Sequence, residues 1–230
     1  MMRWIAGLSL ALNAVLAGLW GARHVGLRLR PRPAPALRER ARIDLFHALA
    51  AGPVTHSDVV VVGDSLTERG EWWELLDRPV ANRGVAGDTV EAVRARLDDV
   101  AALDPRVVFV LVGVNDLLAG ASPEALAARH AALIGELRGR LPRARVVVES
   151  LLPIRDELVA RDAALTGATV RRANELCRRG AAAAGVDWLD LHARLADPDG
   201  ELDPRYSSDG LHLSGAGYRA WAAALVPYLP

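Results

Sequence analysis

Short apolar runs alternate with helix-like segments along this chain, and run length separates the two. Val59-Val60-Val61-Val62 is β-branched throughout, too short for a helix and unbroken by any polar residue. Such a run predicts a strand buried on both faces, the mark of a parallel sheet. Arg106-Val107-Val108-Phe109-Val110-Leu111-Val112 repeats it, and shorter runs stand at Pro79-Val80-Ala81-Asn82, Val146-Val147-Val148 and Val186-Asp187-Trp188-Leu189-Asp190-Leu191. Between them the period changes. Leu37 to Ala51 is amphipathic, with Ile43, Phe46 and Ala50 on one stripe, and stops at Gly52-Pro53. A short helix is predicted around Trp72 to Leu76, and a longer one from Asp88 or Thr89 through Leu103, closed by Asp104-Pro105. Ser122-Pro123-Glu124 opens the next helix with a cap and a first-turn proline, ending near Pro142. Two more are expected over about 167–184 and from Ser214 through Leu225. Strand and helix alternating at this spacing predict the α/β class: a five-stranded, right-handed, doubly wound parallel sheet of flavodoxin-like type. No internal repeat is present.

The amino terminus breaks the alternation. Trp4 to Trp20 is apolar except for Ser9 and Asn13 and is preceded by Arg3, at the lower length limit for spanning a bilayer. The expected organisation is a hydrophobic anchor or signal helix over 1–22, an Arg/Pro-rich linker over 23–36 and one globular domain over 37–230. An imperfect cleavage site follows Val15-Leu16-Ala17, which favours an uncleaved anchor in the cell envelope. Arg23, Arg28, Arg30 and Arg32 follow the segment closely and argue for a cytoplasmic domain, whereas an export signal at the extreme amino terminus argues for an outward one; the outward orientation is expected. The alternating prolines after it make an extended tether.

Composition narrows the chemistry. With 230 residues, 51% of them hydrophobic, one domain with a sizeable core is expected. The formal net charge is zero, which gives no electrostatic reason to expect a nucleic-acid partner. All 28 basic residues are arginine, so a phosphate-binding loop that needs its lysine, and Schiff-base chemistry, are excluded. The single Cys177 has no His beside it in sequence and is expected in the core.

Three polar clusters follow three predicted strands, at Ser65, Gly84 and Asn115, so all converge on the carboxyl edge of the sheet, where such folds place their ligand crevice. A fourth, Ser207-Ser208-Asp209-Gly210-Leu211-His212-Leu213-Ser214-Gly215, precedes the last helix. A serine hydroxyl is nearly inert until a base takes its proton, and that base needs an acid to fix its tautomer. Ser65, His212 and Asp209 supply nucleophile, base and orienting acid. The Ser65 and Gly84 N–H groups and the Asn115 side-chain amide are the candidate oxyanion donors. Trp72 and Trp73 follow the nucleophile closely and are candidate substrate-pocket residues, as well as candidates for core packing.

Gly63-Asp64-Ser65-Leu66, Gly84, Gly113-x-Asn115-Asp116 and Asp209-x-x-His212, in that order, resemble the four sequence blocks of the SGNH (GDSL) hydrolase superfamily. Asn82-Arg83-Gly84-Val85-Ala86-Gly87-Asp88-Thr89 and Asp209 through Tyr218 look most like the branch of the platelet-activating-factor acetylhydrolase catalytic subunits and lysophospholipase-like bacterial esterases. The resemblance covers roughly residues 58–227. It implies a three-layer α/β/α fold, no cofactor, and hydrolysis of carboxylic esters through an acyl-serine intermediate. Expected substrates are small-molecule, lipid or sugar esters with short acyl groups; long-chain lysophospholipids and thioesters are the alternative, as is an inactive carbohydrate- or lipid-binding module of the same fold.

Other readings fail on the same residues. Gly-x-Ser-x-Gly, the mark of α/β-hydrolases, does not occur. Gly215-Ala216-Gly217-Tyr218-Arg219-Ala220 imitates a dinucleotide fingerprint but has no strand after it. No closely spaced His pair suggests a metal.

Overall fold

The structure, a computed structural model, describes residues 35–50, 52, 56–159 and 165–230. The hydrophobic segment Trp4 to Trp20 and nearly all of the linker lie outside the described residues. Among those described, no helix is long and apolar enough to cross a membrane. Helix α1 spans Pro35–Ala50, two residues earlier than the sequence predicts, and everything from Ala41 on belongs to one compact unit, Ala41–Pro230.

Five parallel strands follow: β1 (Val59–Gly63), β2 (Ala81–Gly84), β3 (Val107–Leu111), β4 (Arg145–Glu149) and β5 (Asp187–Leu189), paired in the order β2-β1-β3-β4-β5. That is the doubly wound, flavodoxin-like order, and its switch point lies between β1 and β3. Alternate residues of one strand enter opposite helical layers. Val60, Val62, Val108, Val110 and Val148 face one core, while Val59, Val61, Phe109 and Val147 face another built on Leu66, Trp72 and Trp221. Unbroken β-branched runs are what a two-faced sheet requires.

Helices α2 (Ser65–Glu68) and α3 (Trp72–Leu76) connect β1 to β2. The long helix predicted from Asp88 or Thr89 to Leu103 is instead two short ones, α4 (Val90–Arg94) and α5 (Leu97–Ala101). Arg96 leaves helical backbone between them at φ −122°, and its buried guanidinium donates to Asp88 Oδ2 at 2.7 Å and to Gly63 O at 3.1 Å. A buried ion pair has replaced helix continuity. A short helix absent from the prediction, α6 (Val114–Leu118), leaves β3, and the predicted α7 (Pro123–Arg140) follows it. Asp156–Val159 forms α8, and α9 (Gly167–Ala184) and α11 (Gly215–Leu225) stand as predicted. The last strand is shorter than its apolar run, because Asp190 caps the intervening helix α10 (Leu191–Leu195) through Ala193 N–H.

Candidate active site

The nucleophile candidate sits on the first residue of α2. Asp64 caps that helix, its Oδ1 accepting from Leu66 N–H at 2.9 Å. The Asp64 side chain is fully buried, and burial, reinforced by Asp88 and Asp116 against the Leu66 bond, pushes its carboxyl up to about 7. The cap leaves Ser65 half-buried, its own N–H without a partner among the described residues, as first-turn donors are.

The base candidate comes from the other end of the chain. His212 precedes α11, which Ser214 caps through Gly217 N–H. Tyr218 on that helix donates its hydroxyl hydrogen bond to Leu66 O at 2.8 Å, tying the element after the imidazole to the one that carries the serine. Trp72 and Trp221 pack edge-on beneath this tie with ring centroids 4.8 Å apart.

His212 Nε2 lies 3.4 Å from Ser65 Oγ, the long end of hydrogen-bond distance. On its other side Nδ1 is 2.8 Å from Asp209 Oδ2. Asp209 Oδ1 also accepts from the backbone N–H groups of His212 at 2.7 Å and Leu211 at 3.0 Å. Partial burial works to raise the Asp209 pKa, but the His212 ring and these two N–H groups outweigh it and hold it at about 2. The carboxylate is therefore charged at neutral pH and fixes the imidazole with its proton on Nδ1, leaving Nε2 free to accept from the serine. The structure thus brings Ser65, His212 and Asp209 into one line.

Asn115, the second residue of α6, reaches the same crevice from β3. Its Nδ2 donates to Asp88 O at 2.9 Å, which uses one of its two hydrogens and leaves the other. The neighbouring Asp116, fully buried, accepts from Val90 N–H at 2.9 Å and Arg129 Nη1 at 2.6 Å, so it holds the start of α4.

Two sequence expectations change here. Gly84 N–H already donates to Asn82 Oδ1 at 2.9 Å, so it is not a free oxyanion donor. Glycine is required there for another reason: a Cβ would lie 2.2 Å from Glu68 N, against α2. Along the same loop the N–H groups of Val85, Ala86 and Asp88 are also engaged, while that of Gly87 has no partner among the described residues. Gly87 adopts φ +90°, which other residues rarely tolerate, and stands one residue before Asp88, whose carbonyl holds the Asn115 amide. The signal was a second glycine three positions on, directly before Asp88-Thr89. Trp72 is a core residue, 2% exposed, with its Nε1–H donating to Thr67 O at 2.8 Å. Trp73 is exposed and lines a groove to which none of Ser65, Asn115, Asp209 and His212 contributes.

Sequence reasoning also passed over Glu149, the polar end of a valine run. It is buried at the carboxyl end of β4, accepts from Trp221 Nε1 at 2.7 Å, and burial pushes its carboxyl up to about 8 against that bond. Between the ordinary value of 4.5 and about 8 the folded chain keeps a proton that the unfolded chain releases, so rising pH favours unfolding across that window. Glu149→Gln keeps the acceptor and removes the titration. Melting curves from pH 5 to 8 are expected to show the wild type losing a few kcal/mol relative to the variant, since each pKa unit is worth about 1.4 kcal/mol. Parallel curves would contradict this.

Comparison with known proteins agrees with the geometry. The GDSL-like Lipase/Acylhydrolase family profile matches residues 49–220. Platelet-activating factor acetylhydrolase IB subunit alpha1 of Bos taurus is 33% identical over 185 residues, covering 73% of this chain and 73% of its own. Among solved structures, a GDSL-like lipase from Bacteroides thetaiotaomicron shares the fold with TM-score 0.69 and 21% identity, over 83% of this chain and 96% of that one. An acetyl-xylooligosaccharide esterase from Geobacillus Stearmophilus, solved as a mutant, does so with TM-score 0.61 and 19% identity, over 76% and 95%. With the family profile matching three quarters of its length and a relative 33% identical over 73% of it, this chain belongs to the GDSL-like lipase/acylhydrolase family, whose members are hydrolases acting on esters.

Proposed function

We propose that this chain is a serine esterase that hydrolyses carboxylic esters of short acyl groups, acetyl foremost, through an acyl-serine intermediate. The observation that carries the reading is the unbroken line from Ser65 Oγ through the His212 ring to the Asp209 carboxylate. It stands at the carboxyl edge beside the β1/β3 switch point.

The chemistry follows from the geometry. His212 Nε2 takes the Ser65 proton as Oγ bonds to the ester carbonyl carbon. The carbonyl oxygen becomes an oxyanion and meets the Ser65 N–H, the second Asn115 amide hydrogen and the Gly87 N–H, which stands in for Gly84. Preorganised donors of this kind are each worth about 2.7–4 kcal/mol of barrier. The carbon–oxygen bond to the alcohol breaks, and the alcohol leaves with the proton from His212. Water then adds to the acyl-serine, gives its proton to His212 and releases the acid as Oγ is reprotonated.

Acetyl esters are favoured by the company the chain keeps. The bovine relative is named an acetylhydrolase, and the Geobacillus protein of the same fold is an esterase of acetylated sugars. The test is a series of p-nitrophenyl esters from acetate to palmitate. Expected is a kcat/KM highest at acetate or butyrate and lower by about tenfold or more at the long end. A rise toward palmitate would replace the short-acyl reading with a long-chain one. A folded protein that turns over none of them would end the esterase reading.

A further inference from the structure

A groove of about 570 Å³ runs between α1 and the segment 79–83, at the edge strand of the sheet, away from the serine. Its walls are apolar and open to solvent: Leu45 and Leu49 are each 46% exposed and Trp73 63%. At such exposure a cluster of large apolar side chains marks a binding surface. Its deep end is different in kind. Arg83 lines the groove and is 6% exposed, yet its Nε has no hydrogen-bond partner among the described residues. Among the described residues its side chain makes one hydrogen bond, from Nη1 to Asn82 O at 3.4 Å.

Charge around Arg83 is not balanced. Its guanidinium stacks 4.7 Å over Phe46, and those of Arg42 and Arg96 approach the same ring at 5.1 and 5.9 Å. Arg96 is paired with Asp88. Arg42, by contrast, donates to Gly84 O, and neither it nor Arg83 has a carboxylate within ion-pair distance among the described residues. Burial lowers the Arg83 pKa; Asp99 works to raise it, and Arg42 and Arg96 add to the lowering. A buried guanidinium normally has its donors filled, because leaving them open is costly.

We propose that this groove is a second, non-catalytic site for an acyl chain carrying one anionic head, a carboxylate or a phosphate monoester. The chain lies on Leu45, Leu49, Trp73 and Val80, and the head meets Arg83 and Arg42. Neither part of the groove suffices alone: a plain apolar surface would not need a buried unpaired guanidinium, and a plain anion site would not need exposed leucines and a tryptophan.

Calorimetric titration of the full-length chain with decanoate, decyl phosphate, decanol and decyltrimethylammonium tests it. Decanoate or decyl phosphate is expected to saturate one site, with decanol at least about tenfold weaker and the cation weaker still. Whichever acid binds more tightly tells a free fatty acid from a phosphate-headed lipid as the source. Trp73→Ser, on the exposed wall, is expected to weaken the anion about tenfold or more while melting with the wild type, and Arg42→Gln to weaken it as much in a folded protein that melts somewhat lower, having lost its bond to Gly84 O; Arg83→Leu should abolish the preference over decanol if it folds. Equal binding of decanol and decanoate, saturable binding untouched by both Trp73→Ser and Arg42→Gln, or no saturable anion binding would each overturn the proposal. Because the readout is heat of binding, the outcome does not depend on whether the chain is an esterase.

Discussion

Ser65→Ala is expected to lower kcat on p-nitrophenyl acetate by about 10,000-fold or more while the protein melts as the wild type does. The fold should be indifferent to the change. The helix that holds Ser65 is capped by Asp64, not by the serine, and among the described residues the Oγ hydrogen-bonds only His212. What disappears is the covalent route: with no oxygen to carry the acyl group, only the Ser65, Asn115 and Gly87 donors are left to stabilise direct attack by water. Substrate binding should persist, so the loss belongs to kcat more than to KM. Brief exposure to the ester followed by mass spectrometry should find an acetyl adduct on wild-type Ser65 and none in the variant. A folded variant with near-wild-type turnover would remove the serine from the mechanism.

The sheet was legible in the sequence because its cause is local. Val59 to Val62 and Val107 to Leu111 must be strands buried on both sides, and their alternation with capped helices leads to a right-handed, doubly wound parallel sheet. Ser65, Asn115 and His212 were legible for the same reason, each standing at an element end that the pattern locates. What escaped depends on contacts across the fold. Residues 88–103 have helical periodicity throughout, and nothing in them shows that Arg96 will turn inward to Asp88 and Gly63 O and split the helix. Trp72 and Trp73 are neighbours on a helix of five residues, so a rotation of about 100° decides which is core, and that rotation is set by Trp221 and Tyr218. Gly84 and Gly87 are equally good glycines in sequence. The side chain of Asn82, folding back onto Gly84 N–H, decides which amide stays free. The groove was invisible for a simpler reason: α1 and β2 are distant in sequence, and an arginine in an edge strand ordinarily reaches water.

Asp209→Asn is expected to lower kcat by about 10,000-fold with KM within a few-fold of wild type, the loss that comes from fixing the wrong imidazole tautomer. The asparagine still accepts from the His212 and Leu211 backbone N–H groups, so the loop should keep its shape. Its amide nitrogen, however, can sit where Oδ2 accepts from Nδ1 and donate instead. That moves the ring proton to Nε2, where it faces Ser65 and blocks proton removal. The same pair gives a signature in pH. Asp209 titrates at about 2, below its ordinary 3.8, so its contribution to stability is complete above about pH 4 and lost as pH falls through about 2. The side chain is 54% exposed, so solvent screening keeps that contribution small. Melting curves of wild type and variant should therefore converge as pH falls from 4 to 2 and differ only slightly at neutral pH and above. In that upper range kcat should still differ by the full factor, because a small loss of stability cannot account for a large loss of rate when the difference lies in the placing of one proton. A variant with wild-type kcat would show that His212 holds its tautomer without Asp209, and the line from carboxylate to serine would lose its first member.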